Sequence, residues 1–144
     1  MISLREITVN NFSDVIALQV ADSQTHLVLS NAISIAQSKV MPECIPLAIY
    51  KDDMPVGFLM YCKDRDDDEY WLYRLMIDTH HQGHGYAKQA MEILVSKIKE
   101  DKTKHKILLG VHRDGGASVR VYQSLGFVFT GQVFGQEHIM QLDY

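Results

Sequence analysis

Seven consecutive residues, Gln82-Gly83-His84-Gly85-Tyr86-Ala87-Lys88, carry the sharpest chemistry in this chain of 144 residues. They follow an apolar run, Tyr70 to Ile77, and open a stretch with helical spacing. Two glycines let a backbone approach a ligand closely. The first turn of a helix offers unpaired N–H groups and the positive end of its dipole, which together bind phosphate or pyrophosphate. Lys88 adds a cation one turn in. The segment is not G-x-x-x-x-G-K-[ST], because Gly83 and Gly85 have the wrong spacing. It is not G-x-G-x-x-G, because Lys88 takes the place of the third glycine. A nucleoside-triphosphate or dinucleotide site is therefore disfavoured. An ordinary strand-to-helix turn uses glycine for the same geometry, so on the loop alone both readings stand.

Other groups are weighed in the same way. His80, His81 and His84 suggest a metal, since two His at i, i+4 can chelate zinc. There is no His-Glu-x-x-His and no third ligand at clear spacing, so no metal is expected. His112 is open between lining a cleft and a structural role. Asp64, Asp66, Asp67, Asp68 and Glu69 form an acidic run that reads first as a solvated loop. Cys44 and Cys62 are the only cysteines and lack CxxC spacing, which suits free thiols in a reducing compartment.

Periodicity supplies the elements that must position these groups. Ile2 to Val9 alternates as a strand, with Asn10 and Asn11 as caps for a helix carrying Phe12, Val15, Ile16 and Gln19. Leu29 to Val40 predicts a second helix burying Leu29, Ile33, Ala36 and Val40. Pro46 to Tyr50 and Val56 to Cys62 predict a hairpin. Tyr70 to Ile77 reads as a strand buried on both faces apart from Arg74. Tyr86 to Glu100 is helical, Ile107 to Val111 a strand, and Ala117 to Leu125 a helix that Gly126 caps. Phe127 to Phe134 and Ile139 to Tyr144 are final strands around Gly135-Gln136. The strand–helix–strand crossover from Tyr70 to Val111 implies a parallel pair. The fold class is α+β (mixed α/β): a mostly antiparallel sheet with one parallel strand pair, flanked by about four helices, in one domain spanning 1–144.

Composition narrows the function. Apolar residues make up 47% and charged residues 22%, as in soluble globular proteins. A net charge of −4 argues against nucleic acid, which requires a basic face. No apolar stretch reaches the roughly 18 residues of a membrane helix. Met1 to Thr8 lacks the apolar core of a secretion signal. A cytoplasmic location is expected.

Gln82-x-x-Gly85-x-Ala87 after a strand resembles the Q/R-x-x-G-x-G/A loop of the GNAT N-acetyltransferases. Val119-Arg120-Val121-Tyr122-Gln123-Ser124-Leu125-Gly126-Phe127 is similar to that family's A-I-x-L-Y-x-x-x-G-F signature. The order and spacing of the two motifs match, and the element order agrees over nearly the whole chain. The resemblance implies acetyl-CoA as co-substrate, with its pyrophosphate on the amides of Gly83, His84, Gly85, Tyr86, Ala87 and Lys88. Backbone groups of Leu75, Met76 and Ile77 would pair with the pantetheine arm, and Tyr122 would protonate the leaving thiolate. The family commonly carries Asn at the place of Gly115 and Ala at that of Ser118. That departure implies that a cofactor contact is either missing or taken over by Asp114 or Ser118.

An amine like that of lysine has a pKa of about 10.4 and must lose a proton before it attacks. Asp67, Asp68, Glu69, Tyr73 and Glu43 are the candidates to receive it, directly or through water. Tyr70 to Asp78 with its preceding acidic run looks like bacterial spermine/spermidine acetyltransferases. That likeness implies a polyamine acceptor, with Asp67, Asp68, Glu69 and Tyr73 as substrate-binding residues; carboxylates and aromatic faces suit its ammonium groups. Another amine (a protein N-terminus, an aminoglycoside or an amino acid) and a non-catalytic CoA-binding module are the alternatives. Phe127, Val128, Phe129, Val133 and Phe134 form an apolar edge that predicts a homodimer.

Overall fold

A computed structural model describes all residues, Met1–Tyr144. The chain runs β1 (Ile2–Glu6), α1 (Phe12–Ala17), α2 (Asn31–Val40), β2 (Cys44–Lys51), β3 (Met54–Lys63), β4 (Tyr70–Ile77), α3 (Tyr86–Ile98), β5 (Lys106–His112), α4 (Gly116–Ser124), β6 (Val128–Phe134) and β7 (Glu137–Asp143). Short 3₁₀ turns occupy Asp22–Gln24 and Thr79–His81. The strands form one sheet in the order β1-β2-β3-β4-β5-β7-β6. Every neighbouring pair is antiparallel except β4 and β5, as the crossover requires.

Strand alternation builds two apolar layers. Leu47 and Ile49 of β2, with Leu59 and Tyr61 of β3, join Ala90, Met91, Leu94 and Ile98 of α3 in the larger cluster. The intervening Ala48, Tyr50, Phe58, Met60 and Cys62 point the other way and meet Val15 of α1 and, at its margin, Ile35 of α2. This period of two packs α3 and α4 on one face of the sheet and α1 and α2 on the other. Truncating Leu94, which is fully buried, costs about 2–5 kcal/mol.

Four expectations change. Helix α2 buries Asn31 and Ser34, whereas Leu29, Ile33 and Val40 are exposed. A hydrogen bond decides this. Asn31 donates from Nδ2 to Val15 O at 2.9 Å, and that buried contact rotates the helix away from its apolar stripe. Asn11 stands at the N-cap of α1, but its side chain does not cap the helix; its Oδ1 accepts from Thr8 N at 2.8 Å and its Nδ2 donates to Glu6 O at 3.0 Å. Phe127 belongs to the core, 1% exposed, not to the apolar edge. On β4 only Leu72, Met76 and Ile77 are buried, so the strand is not covered along both faces.

Candidate active site

The pairing of β4 with β5 covers only Tyr70↔Ile107, Trp71↔Leu108 and Leu72↔Leu109. Beyond Leu72 the two strands separate, and a cleft opens between them. A bulge marks the point. Met60 faces Arg74 and Tyr61 faces Leu72, so Tyr73 is the extra residue on β4. Past the bulge, β4 still pairs with β3, and Asp78 N donates to Val56 O at 2.8 Å. Alternation then turns the backbone groups of Met76 and Arg74 toward β3, and those of Leu75 and Ile77 toward the open side. Ile77 O accepts from Gln82 Nε2 at 2.9 Å on that side. Leu75 thus offers a free N–H and C=O to an extended ligand.

The loop before α3 is built around two left-handed residues. Gly83 has φ 85° and Gly85, the N-cap of α3, has φ 77°. A Cβ at Gly83 would meet nothing within 4 Å, so glycine is needed here for conformation and not for space. The first amide of α3 to find a partner is Gln89 N, on Gly85 O at 3.2 Å. The amides of Tyr86, Ala87 and Lys88 therefore remain free, and no side chain caps them. Gln82 does not face this opening with its amide. It ties the loop to Ile77 O and to Gln24 Oε1 at 3.0 Å. Asp78 anchors the other side, accepting from Gln19 N at 2.9 Å and His80 N at 3.2 Å. Burial pushes its carboxyl up, but these amide bonds and His80 together hold it below the usual range.

Three adjoining cavities follow the cleft. The first, about 340 Å³, is lined by Leu75, Met76, Ile77, Gln82, Gly83, Gly85, Tyr86, Ala87, Lys88 and Ser118, with Val20, Gln24, Leu27 and Val28 as its far wall. The second, about 520 Å³, shares Leu27, Val28, Leu75 and Ser118 with the first and adds Tyr122, Arg74, Glu137 and His112. The third, about 360 Å³, shares Tyr73, Arg74, Gly110 and Glu137 with the second and adds Asp64 and Trp71. The arrangement is one channel: free amides at one end, a phenol at the middle, carboxylates at the other.

The middle of the channel is a proton-donating environment. Tyr122 is buried, and burial alone pushes its phenol far above the usual tyrosine range. The hydroxyl stays protonated at neutral pH and can donate to a developing thiolate or alkoxide. Glu137 lies across Gly110, where an added Cβ would collide with its carboxylate. The missing side chain at Gly110 thus makes room for a charge between the separating strands. Tyr73 donates from its hydroxyl to Asp64 Oδ2 at 2.5 Å. Burial first, and this bond second, keep that phenol protonated as well.

Sequence comparison supplies the family. Residues 14–127 match the model of the Acetyltransferase (GNAT) family. The chain belongs to the GNAT acetyltransferase family. It is therefore an acetyl-CoA-dependent N-acetyltransferase with the mixed α/β fold of that family. The chain is similar to a spermine/spermidine N(1)-acetyltransferase of Bacillus subtilis (strain 168), 27% identical over 146 residues and 96% of each chain. The PaiA N-acetyltransferase of Thermoplasma acidophilum in complex with coenzyme A superposes with TM-score 0.74 at 18% identity, over 100% of this chain and 99% of that one. An aminoglycoside acetyltransferase in complex with coenzyme A gives TM-score 0.80 at 14% identity, over 99% and 95%. No helix is long and apolar enough to cross a membrane.

Most residues singled out for the GNAT co-substrate line the first cavity; His84 does not, its ring lying 5.3 Å from that of Tyr86. Tyr73 lines the two outer cavities. Asp67, Asp68 and Glu69 line none of the three. Asp67 accepts from Trp71 Nε1 at 2.8 Å, Asp68 pairs with Lys104 at 2.9 Å, and Glu69 Oε2 is buried without a partner. Glu43 is held by Arg65 at 2.7 and 2.9 Å, which draws its pKa down. Gly115 is the N-cap of α4, where an added Cβ would stand 3.1 Å from His112 O. Sequence reasoning missed Glu137. Its only signal was a carboxylate just after the Gly135-Gln136 turn, opposite His112 in the register.

Proposed function

We propose that the chain, acting as one domain, transfers the acetyl group of acetyl-CoA to a primary amine of a polyamine such as spermidine or spermine, by direct attack in a ternary complex. The observation that carries this reading is Tyr122, a phenol kept protonated by burial where the amide-lined cavity meets the carboxylate-lined ones. The amides of Tyr86, Ala87 and Lys88 hold the pyrophosphate, and Leu75 pairs with the pantetheine arm. Ser118, shared by the first two cavities, stands beside the thioester. The amine nitrogen attacks the thioester carbonyl, the C–N bond forms and the C–S bond breaks. Tyr122 gives its proton to the departing sulfur, and Glu137 accepts the proton from the amine. Glu137, Asp64 and Tyr73 receive the remaining ammonium groups. Asp67, Asp68 and Glu69 add long-range attraction from the outer loop.

The B. subtilis relative supports the polyamine. A second reading has its own observation. Arg74 lines both outer cavities, bonds Tyr73 O and Gln37 Oε1, and keeps a buried Nε without a partner. A guanidinium with one unpaired N–H there suits an amine that carries a carboxylate, such as an amino acid. Thiol release against a panel of amines separates the two. Fast turnover with spermidine or spermine carries the first reading; turnover only with amino acids moves the assignment to the second.

Two further parts belong to this proposal. The protein works in the cytoplasm, consistent with two buried free thiols. It forms a homodimer through β6, the edge strand, on which Val128, Phe129, Val133 and Phe134 are 47–61% exposed. Sedimentation checks the dimer, and a monomer at micromolar concentration would contradict it.

A further inference from the structure

His26, His112 and Asp114 bring three potential ligand atoms within 4.8 Å of one another. They come from opposite walls of the cleft. His26 follows the 3₁₀ turn at Asp22–Gln24, His112 ends β5, and Asp114 lies in the turn before α4. His26 and His112 both line the cavity that contains Tyr122. Asp114 Oδ2 stands 3.7 Å from His26 Nε2 and 3.6 Å from His112 Nδ1. The two imidazole rings meet edge-on, 5.4 Å between centroids and 88° between planes.

These spacings are close to those around one tetrahedral ion. Ligands at about 2.0–2.1 Å from zinc lie roughly 3.4 Å from each other. The carboxylate oxygen needs to close on each imidazole by only a few tenths of an ångström. A second observation is independent of these distances. Asp114 N donates to His112 Nδ1 at 3.2 Å, so Nδ1 carries the lone pair. The proton is then on Nε2, which donates to Gln136 Oε1 at 2.7 Å. An outer amide oxygen fixes the tautomer that leaves an unprotonated nitrogen 3.6 Å from Asp114 Oδ2, as the partners of metal-bound histidines do. A metal would replace only the long bond from the Asp114 amide.

We propose that His26, His112 and Asp114 form a binding site for a divalent transition-metal ion of the zinc class, with Gln136 as the positioning residue. Two imidazoles and one carboxylate suit Zn²⁺, Ni²⁺ or Co²⁺ rather than Mg²⁺ or Ca²⁺. The bound ion ties the His26 segment to the β5–α4 turn across the acceptor end of the channel and hinders entry of the amine. The site is distinct from His80, His81 and His84, which do not converge.

Calorimetric titration of the chelator-treated full chain with Zn²⁺ tests the site. One ion per chain is expected. His26→Ala and Asp114→Asn each weaken binding by at least roughly tenfold, Gln136→Leu by a similar factor through loss of the tautomer, and His81→Ala not at all. Co²⁺ should give the intense visible bands of a tetrahedral site in the wild type and lose them in Asp114→Asn. Equal zinc affinity in the wild type, His26→Ala and Asp114→Asn, or no saturable binding, would overturn the proposal. Metal binding needs no turnover, so its failure and that of the transferase reading are distinguishable. Zinc should also raise KM for the acceptor amine in the wild type and not in Asp114→Asn. Zinc held by these residues with that KM unmoved would overturn the hindrance.

Discussion

The two ends of the channel are built by opposite means. The co-substrate end is mostly backbone: the free amides of Tyr86, Ala87 and Lys88, the open-side groups of Leu75, and two left-handed glycines. Its key residues lie in two nearby stretches, 75–77 and 82–88. The acceptor end is side chains gathered from separate segments: Asp64 from a loop, Tyr73 and Arg74 from β4, Tyr122 from α4 and Glu137 from β7. A contact through backbone recognises what all CoA esters share and tolerates substitution. A contact through side chains recognises one acceptor and changes with each of them.

Substitutions should therefore divide cleanly between the two ends. Tyr122→Phe, at their junction, should lower kcat by about 10²–10⁴ with KM for acetyl-CoA within a few-fold. Its pH profile adds a check. A raised phenol pKa keeps Tyr122 competent as an acid through the ordinary tyrosine range, so the wild-type alkaline limb lies above about pH 10. The same shift has a stability consequence of fixed sign. The contribution is full below about pH 10, where the unfolded phenol is protonated, and is lost as pH rises further. Alkaline melting of wild type against Tyr122→Phe reads it.

Glu137→Gln should lower kcat, because the proton acceptor is lost, and raise KM for the amine about 10- to 100-fold, the worth of a charge-assisted hydrogen bond of about 1.5–3 kcal/mol, while leaving KM for acetyl-CoA alone. An equal rise in both constants would break the division. Gly85→Ala forces a side chain into φ 77° and should cost about 1–2 kcal/mol of stability, read as a Tm lower by several degrees, with KM for acetyl-CoA as the constant that rises. Asp67→Asn with Asp68→Asn should do least: about a twofold rise in amine KM at low salt, disappearing as salt is added.

The same division explains what was legible in the sequence. The Gly83 to Lys88 loop is contiguous, and its glycines announce their backbone geometry by type, so the turn into α3 was legible without a structure. Short apolar runs marked β2 to β5, and the crossover marked the parallel pair. Glu137 could not be found this way. It reaches the channel because β4 and β5 part after Leu72 and β7 runs along β5, a fact of register rather than of local spacing. The acidic run divides for a related reason. It is adjacent to β4 in sequence, yet Asp67 and Asp68 turn to Trp71 and Lys104 and leave Asp64 alone to reach the outer cavity. Helix α2 shows that a single buried hydrogen bond from Asn31 can outweigh an apolar stripe.

The central claim is that both ends are occupied together across Tyr122. Calorimetric titration with a spermidine joined through an acetyl linker to the sulfur of CoA tests it most directly. A conjugate that spans the junction should bind at least about 100-fold more tightly than CoA alone, and Glu137→Gln should remove most of that gain. Affinity equal to that of CoA alone, unchanged by Glu137→Gln, would contradict a shared channel.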